Sequence, residues 1–374
     1  MFHRNPDIPT SARIKQACFL IRYALFCPVW TVLWFVDELF FAEYKKQIIR
    51  PVFIIGQPRS GTTFLHRTLA TDSDNFVALR HIDWRYPFIC VQLALGKITW
   101  LHRMLNKNYW PDTPAGNAAA KMHPNRLSDW EEDGIFFEEC FLHHFFIFLR
   151  FPYPHLLRYL DDYPGLPKKI QRKMLDMHRI AIQKRLYFCD KGHKEKFYLS
   201  KEVTSHNKIE TILEIYPDAK FIVSVRESKG FMNSLLSLVR FSTASKNGIN
   251  PIEIPGWERV FLDRMRKDSL LLKKLCTLII KKDQQVRIMY SHFTRNLMFS
   301  LEYIYESIGL DISPTYRAYI EDMHRKQQKR DRGYEYEIKT FPGFEEFDRF
   351  VAQIDHEYCR ETNISTGVKT EIFN

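Results

Sequence analysis

Residues 51–69 read PVFIIGQPRSGTTFLHRTL, and the order of residue types in this stretch sets the expected fold. Positions 52–55 are apolar and rich in β-branched residues, as suits a short parallel strand buried on both faces. Residues 56–61 carry a Gly at each end and a Pro between them, which marks a turn, and from Thr62 onward the spacing is helical. Strand, glycine loop and helix in that order build an anion site. The first N–H groups of a helix lack partners within it, the positive end of the helix dipole lies there, and glycine lets the backbone close around a phosphate.

Set against a nucleotide-binding P-loop, Gly56 and Gly61 keep the G-x-x-x-x-G spacing and Thr63 stands at the Ser/Thr position. Thr62, however, occupies the place of the Lys that reaches β- and γ-phosphates, and the cation is instead Arg59, inside the loop. No acidic strand suited to holding a metal accompanies it, so a different donor is indicated. The segment PRSGTT resembles the 5′-phosphosulfate loop of the sulfotransferase family, which uses 3′-phosphoadenosine 5′-phosphosulfate (PAPS). The resemblance implies that Arg59, Ser60, Gly61, Thr62 and Thr63 hold the 5′ end of that donor, with no metal required.

A second constellation runs from Phe197 to Arg240 as strand, turn, helix, strand, turn, helix, the βαβ pattern of a doubly wound sheet. Ser205 is expected to cap its first helix, and Pro217 and Asp218 to end it. Arg226 at a strand end and Ser234 eight residues later resemble the family's 3′-phosphate site, where a guanidinium gives forked hydrogen bonds and a hydroxyl adds another. By the same resemblance Lys201, twenty-five residues before Arg226, contacts the sulfuryl group. Glu202-Val203 and Glu227-Ser228 depart from the family's usual Pro-containing turns.

The acid that receives the acceptor's proton is expected a short distance beyond the loop helix. Phe76 and Pro87 frame Asp83 as the family frames this acid, and His81 is the near alternative, with an ordinary pKa near 6.5. Residues 97–164 are dense in aromatic side chains. There Ser128 and Glu131 have capping-box spacing, which predicts a helix start, and His123, Glu131 and Glu132 resemble a His-Pro and Glu-Glu-Asp cluster that could line an acceptor pocket. The acids also suit the first turn of a helix, where they favour its dipole. Near the end, residues 286–290 read as a last strand, 290–310 as a helix with a Gly-Leu stop, and Lys329, Arg330 and Arg332 as a basic run that the resemblance brings to the 3′-phosphate.

At 374 residues the chain is long enough for one large core, and it contains neither an internal repeat nor a Gly/Ser linker. Its formal charge of +11 asks for an anionic partner; the charge is spread out, without a nucleic-acid signature, so a polyanionic nucleotide or an acidic membrane surface answers it. Seven scattered cysteines argue against a disulfide scaffold or zinc site and favour a reducing compartment. Residues 17–36 are the most apolar. They admit a membrane-spanning anchor, but Arg22 and Pro28 favour a pair of amphipathic helices packed on the domain or lying on a membrane surface, at the cytoplasmic face or in the Golgi. The expected architecture is an α/β, P-loop-like doubly wound parallel sheet flanked by helices, with an apolar helical segment over 1–50, a sulfotransferase domain over 51–343 and a helix and tail over 344–374. The expected activity is transfer of the PAPS sulfuryl group to a hydroxylated acceptor. A non-catalytic nucleotide-binding or scaffold member and a P-loop nucleotide kinase or NTPase remain the alternatives.

Overall fold

The computed structural model describes residues 8–98, 103, 105–139, 149–156, 163–189, 196–203, 206–226, 228–328, 343, 345–347, 349–351 and 353–354. The expected contacts of Lys329, Arg330 and Arg332 and the expected cap at Ser205 lie outside these residues. Five strands are described: β1 (Arg50–Gly56), β2 (Phe76–Val77), β3 (Phe197–Glu202), β4 (Lys220–Val225) and β5 (Gln285–Met289). The helices are α1 (Thr10–Phe40), α2 (Thr62–Ala70), α3 (His81–Arg85), α4 (Ile89–Lys97), α5 (Pro114–Met122), α6 (Gly134–Glu139), α7 (Lys168–Cys189), α8 (Ile209–Ile215), α9 (Ser228–Asn247), α10 (Trp257–Lys274), α11 (Tyr290–Arg295), α12 (Leu297–Ile308) and α13 (Pro314–Gln328). The chain forms two compact units. The first comprises Met1–Ile49, Ala78–Glu195 and Leu236–Val260; the second comprises Arg50–Val77, Lys196–Leu235 and Phe261–Asn374.

The second unit holds the sheet. Its strands are all parallel in the order β2-β3-β1-β4-β5, with Ile54 opposite Lys201, Gly56 opposite Ser224 and Val225 opposite Met289. Every residue of β1 after Arg50 is buried, as are all of β3 and all but the first of β4; β1 accordingly reads as an apolar run, while β3 also buries Ser200, Lys201 and Glu202 and β4 buries Ser224. Parallel pairing brings the ends of β1, β3, β4 and β5 to one edge, so Gly56, Lys201, Arg226 and Tyr290 share it. In an open α/β sheet, the crevice at those ends, where strand order reverses, is where ligands bind. Behind the edge, α12 and α13 fasten the far end of α2: Tyr305 donates to Asp72 at 2.6 Å, and Tyr316 donates to the Thr68 carbonyl at 2.7 Å.

The first unit is helical, and two expectations are corrected in it. Residues 10–40 form one continuous helix, α1, and not a pair. Pro28 removes one N–H but α1 continues past it, with the Thr31 hydroxyl donating to the Cys27 carbonyl at 3.0 Å. The expected helix start at Ser128 does not form either. The Glu131 N–H donates to the Leu79 carbonyl and Trp130 bridges antiparallel to Arg80, so long-range pairing takes the backbone groups a helix would use; α6 begins only at Gly134. A capping box does appear elsewhere, at α3, where Asp83 accepts from the Arg80 backbone.

Candidate active site

In the second unit the loop after β1 is shaped by close approaches. A Cβ on Gly56 would lie 2.4 Å from the Ser224 carbonyl oxygen, and one on Gly61 2.7 Å from the Tyr290 ring. Gly61 also has φ +84°, and Arg59 has φ +68°, which makes it the one non-glycine residue at positive φ among the described residues. Buried Ser60 and Ser224 fix the turn: the Ser60 hydroxyl donates to the Gln57 carbonyl at 2.7 Å and the Ser224 hydroxyl to the Ser60 carbonyl at 2.6 Å. Helix α2 starts behind this loop with glycine at its N-cap, and no side chain caps its first N–H groups.

The side chains expected at the two ends of a donor meet here. Arg59 Nε donates to Ser234 Oγ at 2.9 Å, and Arg226 Nη1 donates to the Arg59 carbonyl. The Arg226 guanidinium lies 4.4 Å over the Tyr290 ring, which also walls Gly61. Lys201, almost fully buried at the end of β3, donates to Thr63 Oγ1 at 2.9 Å. Thus residues 59, 63, 201, 226 and 234, drawn from a span of 175 positions, form one cationic and hydroxylated cradle. His206 is buried beside the Gly56 backbone; burial lowers its pKa to about 4, while Asp268 pulls the other way.

The expected proton acceptors fall in the first unit. Asp83 is buried, and its oxygens receive Arg80 Nε at 3.0 Å, Arg80 Nη2 at 2.8 Å and the Arg80 backbone N–H at 2.8 Å, with Arg185 Nε 3.5 Å away. Burial opposes its charge, yet Arg185 and Arg80 hold the carboxyl below its usual range. His81 is also fully engaged. Its Nδ1 pairs with Asn125 Oδ1 at 2.8 Å and its Nε2 faces Arg85 Nε at 2.6 Å, a pattern that fits a neutral ring donating from Nδ1. Burial and Arg85 lower its pKa to about 3. Glu131 is buried with Oε2 3.4 Å from Nε2 of the more open His123, and Glu131 Oε1 accepts the Glu132 N–H at 3.2 Å. The third acid of the cluster, Asp133, is spent on His178 at 2.9 Å, whose ring stacks on Trp84 at 5.2 Å.

The sulfotransferase family model matches residues 51–90 and 99–314, which include the whole loop and every strand. The chain belongs to the sulfotransferase family. Two solved structures share its fold: the sulfotransferase STF9 of Mycobacterium avium, with TM-score 0.61, 17% identity and coverage of 87% of this chain and 80% of that one, and the sulfotransferase STF1 of Mycobacterium tuberculosis H37Rv, with TM-score 0.60, 18% identity and coverage of 83% and 84%. No curated protein sequence matches the chain. The sequence pattern of this sulfotransferase overlooked Tyr290 as the wall of the loop, Ser224 as its fastening and His206 as its neighbour. Of these only Tyr290 carried a signal, an aromatic residue closing the last strand.

Proposed function

We propose that this sulfotransferase moves the sulfuryl group of PAPS to a hydroxyl of its acceptor. The observation that carries the reading is the joining of two motifs distant in sequence, through Arg59 Nε on Ser234 and Arg226 on the Arg59 carbonyl. The donor set fits an adenosine bisphosphate: a glycine-edged loop pressed against the sheet, a helix start without a side-chain cap, two guanidinium groups, an ammonium and several hydroxyls. The bound donor supplies a sulfuryl group attached to a phosphate leaving group. Arg59, Thr62, Thr63 and the loop N–H groups stabilise the charge that grows on the departing oxygen, held in advance where it develops. Lys201 steadies the sulfuryl oxygens, and Arg226 and Ser234 hold the 3′-phosphate.

The acceptor's hydroxyl proton is assigned to the His123–Glu131 pair. Glu131 Oε2 lies 3.4 Å from His123 Nε2, and His123 is the more open member. Asp83, whose oxygens are committed to Arg80 and Arg185, keeps α3 in place and is a positioning residue. The same reading puts the protein on a membrane surface, through α1.

The decisive measurement is calorimetric binding of adenosine 3′,5′-bisphosphate against adenosine 5′-monophosphate, together with release of labelled sulfate from PAPS to a panel of hydroxylated acceptors. A preference of at least tenfold for the bisphosphate, with label appearing on an acceptor, is expected. Equal affinity for the two nucleotides overturns the reading.

A further inference from the structure

We infer that Arg85, Arg150 and Lys246, gathered around the phenol of Tyr109 in the first unit, form a site for an oxyanion, a carboxylate or phosphate group, which does not depend on the function proposed above. Arg85 Nη2 donates to Tyr109 Oη at 2.8 Å and Arg150 Nη2 reaches the same oxygen at 3.4 Å. The Lys246 ammonium lies 5.6 Å from the Tyr109 ring centre and 5.4 Å from that of Trp110. These four residues come from four separate stretches of the chain, so the grouping is a product of the fold and not of a local basic run.

Among the described residues neither Arg150 nor Lys246 forms an ion pair, and Arg150 Nε is buried without a hydrogen-bond partner. The field of the Glu138 carboxylate reaches both Tyr109 and Lys246. The cations act on the phenol: although burial opposes it, Arg85, Lys246 and Arg150 lower the Tyr109 pKa to about 8. At neutral pH the phenol is still mostly protonated and neutralises none of them. Burial in turn lowers the Lys246 pKa, the mark of an ammonium kept from water without full compensation. Half-buried cations left in this way cost stability unless an anion completes them. The Arg150 guanidinium and the Lys246 ammonium offer N–H donors from different directions, which suits a planar carboxylate or a tetrahedral phosphate. The flanking Tyr109 and Trp110 rings offer an aromatic wall for the body of the same molecule.

The test uses the full chain and inorganic phosphate as the probe, titrated by calorimetry with adenosine 3′,5′-bisphosphate present in saturating amount, so that donor-site binding is already satisfied. Saturable phosphate binding is expected in the parent protein, weakened at least tenfold in Arg150→Gln and in Lys246→Gln, and kept within threefold in Arg150→Lys. In the parent alone, phosphate should protect Arg150 from phenylglyoxal, as read by peptide mass spectrometry, which covers the case of variants that do not fold. Phosphate binding that is absent, or unchanged in both Gln variants, overturns the site.

Discussion

Arg59 holds a left-handed backbone conformation at φ +68° that a residue with a side chain adopts only where its neighbours enforce it. The enforcement is visible: Arg226 binds its carbonyl and Ser234 accepts from its Nε. Arg226 is therefore expected to do more than bind phosphate. Arg226→Ala should weaken binding of adenosine 3′,5′-bisphosphate by about 1.5 to 3 kcal/mol, the loss of a charged hydrogen-bond set. Arg226→Lys should recover little of it, because an ammonium neither forks nor stacks on Tyr290 as the guanidinium does. Calorimetry reads both, and a Lys variant that binds like the parent would show that Arg226 acts as a point charge. Arg59→Ala should instead lower turnover at saturating donor most, since the proposed function assigns its charge to the phosphate that departs. A second residue-scale expectation concerns pH. His81 and His206 are buried, with pKa values lowered to about 3 and about 4. Unfolded, each titrates near 6.5, so below that pH the unfolded chain takes up protons that the folded chain refuses. Stability is full above about pH 6.5 and falls with decreasing pH, by about 2 kcal/mol for each histidine at pH 5. Urea unfolding at pH 7 and pH 5 measures the difference, and His81→Gln should flatten the dependence even if it lowers stability at pH 7.

At the scale of elements, what could be read in advance was what is local. Residues 52–70 became strand, loop and helix because apolar run, glycines and helical spacing all lie within one short window, and β3, α8 and β4 were legible for the same reason. The Ser128 expectation failed because Glu131 and Trp130 pair with residues 79 and 80, a competition that no window around Ser128 contains. The cluster of Arg85, Tyr109, Arg150 and Lys246 was invisible on the same grounds. Lys201, Arg226 and Ser234 were singled out only through their spacing and resemblance; the meeting of Arg226 and Ser234 with Arg59, and of Lys201 with Thr63, is a fact of the fold. The most consequential hidden element contact is Asp37. It is fully buried on α1, accepts the first N–H groups of α4 at 2.8 Å (Ile89) and 3.1 Å (Cys90), and pairs with Lys184 of α7 at 3.0 Å. One carboxylate thus caps one helix and ties it to two others. Asp37→Ala leaves a buried ammonium uncompensated and is expected to cost about 3 to 5 kcal/mol in urea unfolding. A double variant with Lys184→Met should recover part of that loss; a single variant within 1 kcal/mol of the parent would mean that α1 is held by its aromatic contacts alone.

Across the whole molecule, α1 presents two unlike stripes. Gln16, Phe19, Trp30, Trp34 and Asp37 face the protein: Gln16 Nε2 donates to the Arg150 carbonyl at 3.0 Å, Phe19 packs on Phe151, and both Trp rings meet Phe88 edge-on. Ile14, Ile21, Leu25, Val29, Val32, Phe35 and Leu39 recur at helical spacing on the other side, and each is about half exposed or more. By length and composition this helix could cross a membrane. A crossing helix, however, would have to give up Asp37, Lys184 and Phe88, while an in-plane helix keeps them and buries only the open stripe. With a net charge of +11, the protein should therefore bind vesicles containing anionic lipid. Replacing Leu25 and Phe35 together by Glu removes two exposed apolar side chains that the lipid would bury, worth about 3 kcal/mol or more, and should reduce vesicle binding over 100-fold. Cys18 and Cys27 are exposed on α1 and provide a direct readout. Both should react with a maleimide when the protein is in solution; Cys18, seven residues before Leu25 on the open stripe, should be shielded when the protein is vesicle-bound and Cys27, seven residues before Trp34, should stay reactive, with alkaline carbonate releasing the protein from the lipid. Resistance to that extraction would establish a spanning helix, and full maleimide reactivity on vesicles would show that the apolar stripe covers something other than lipid.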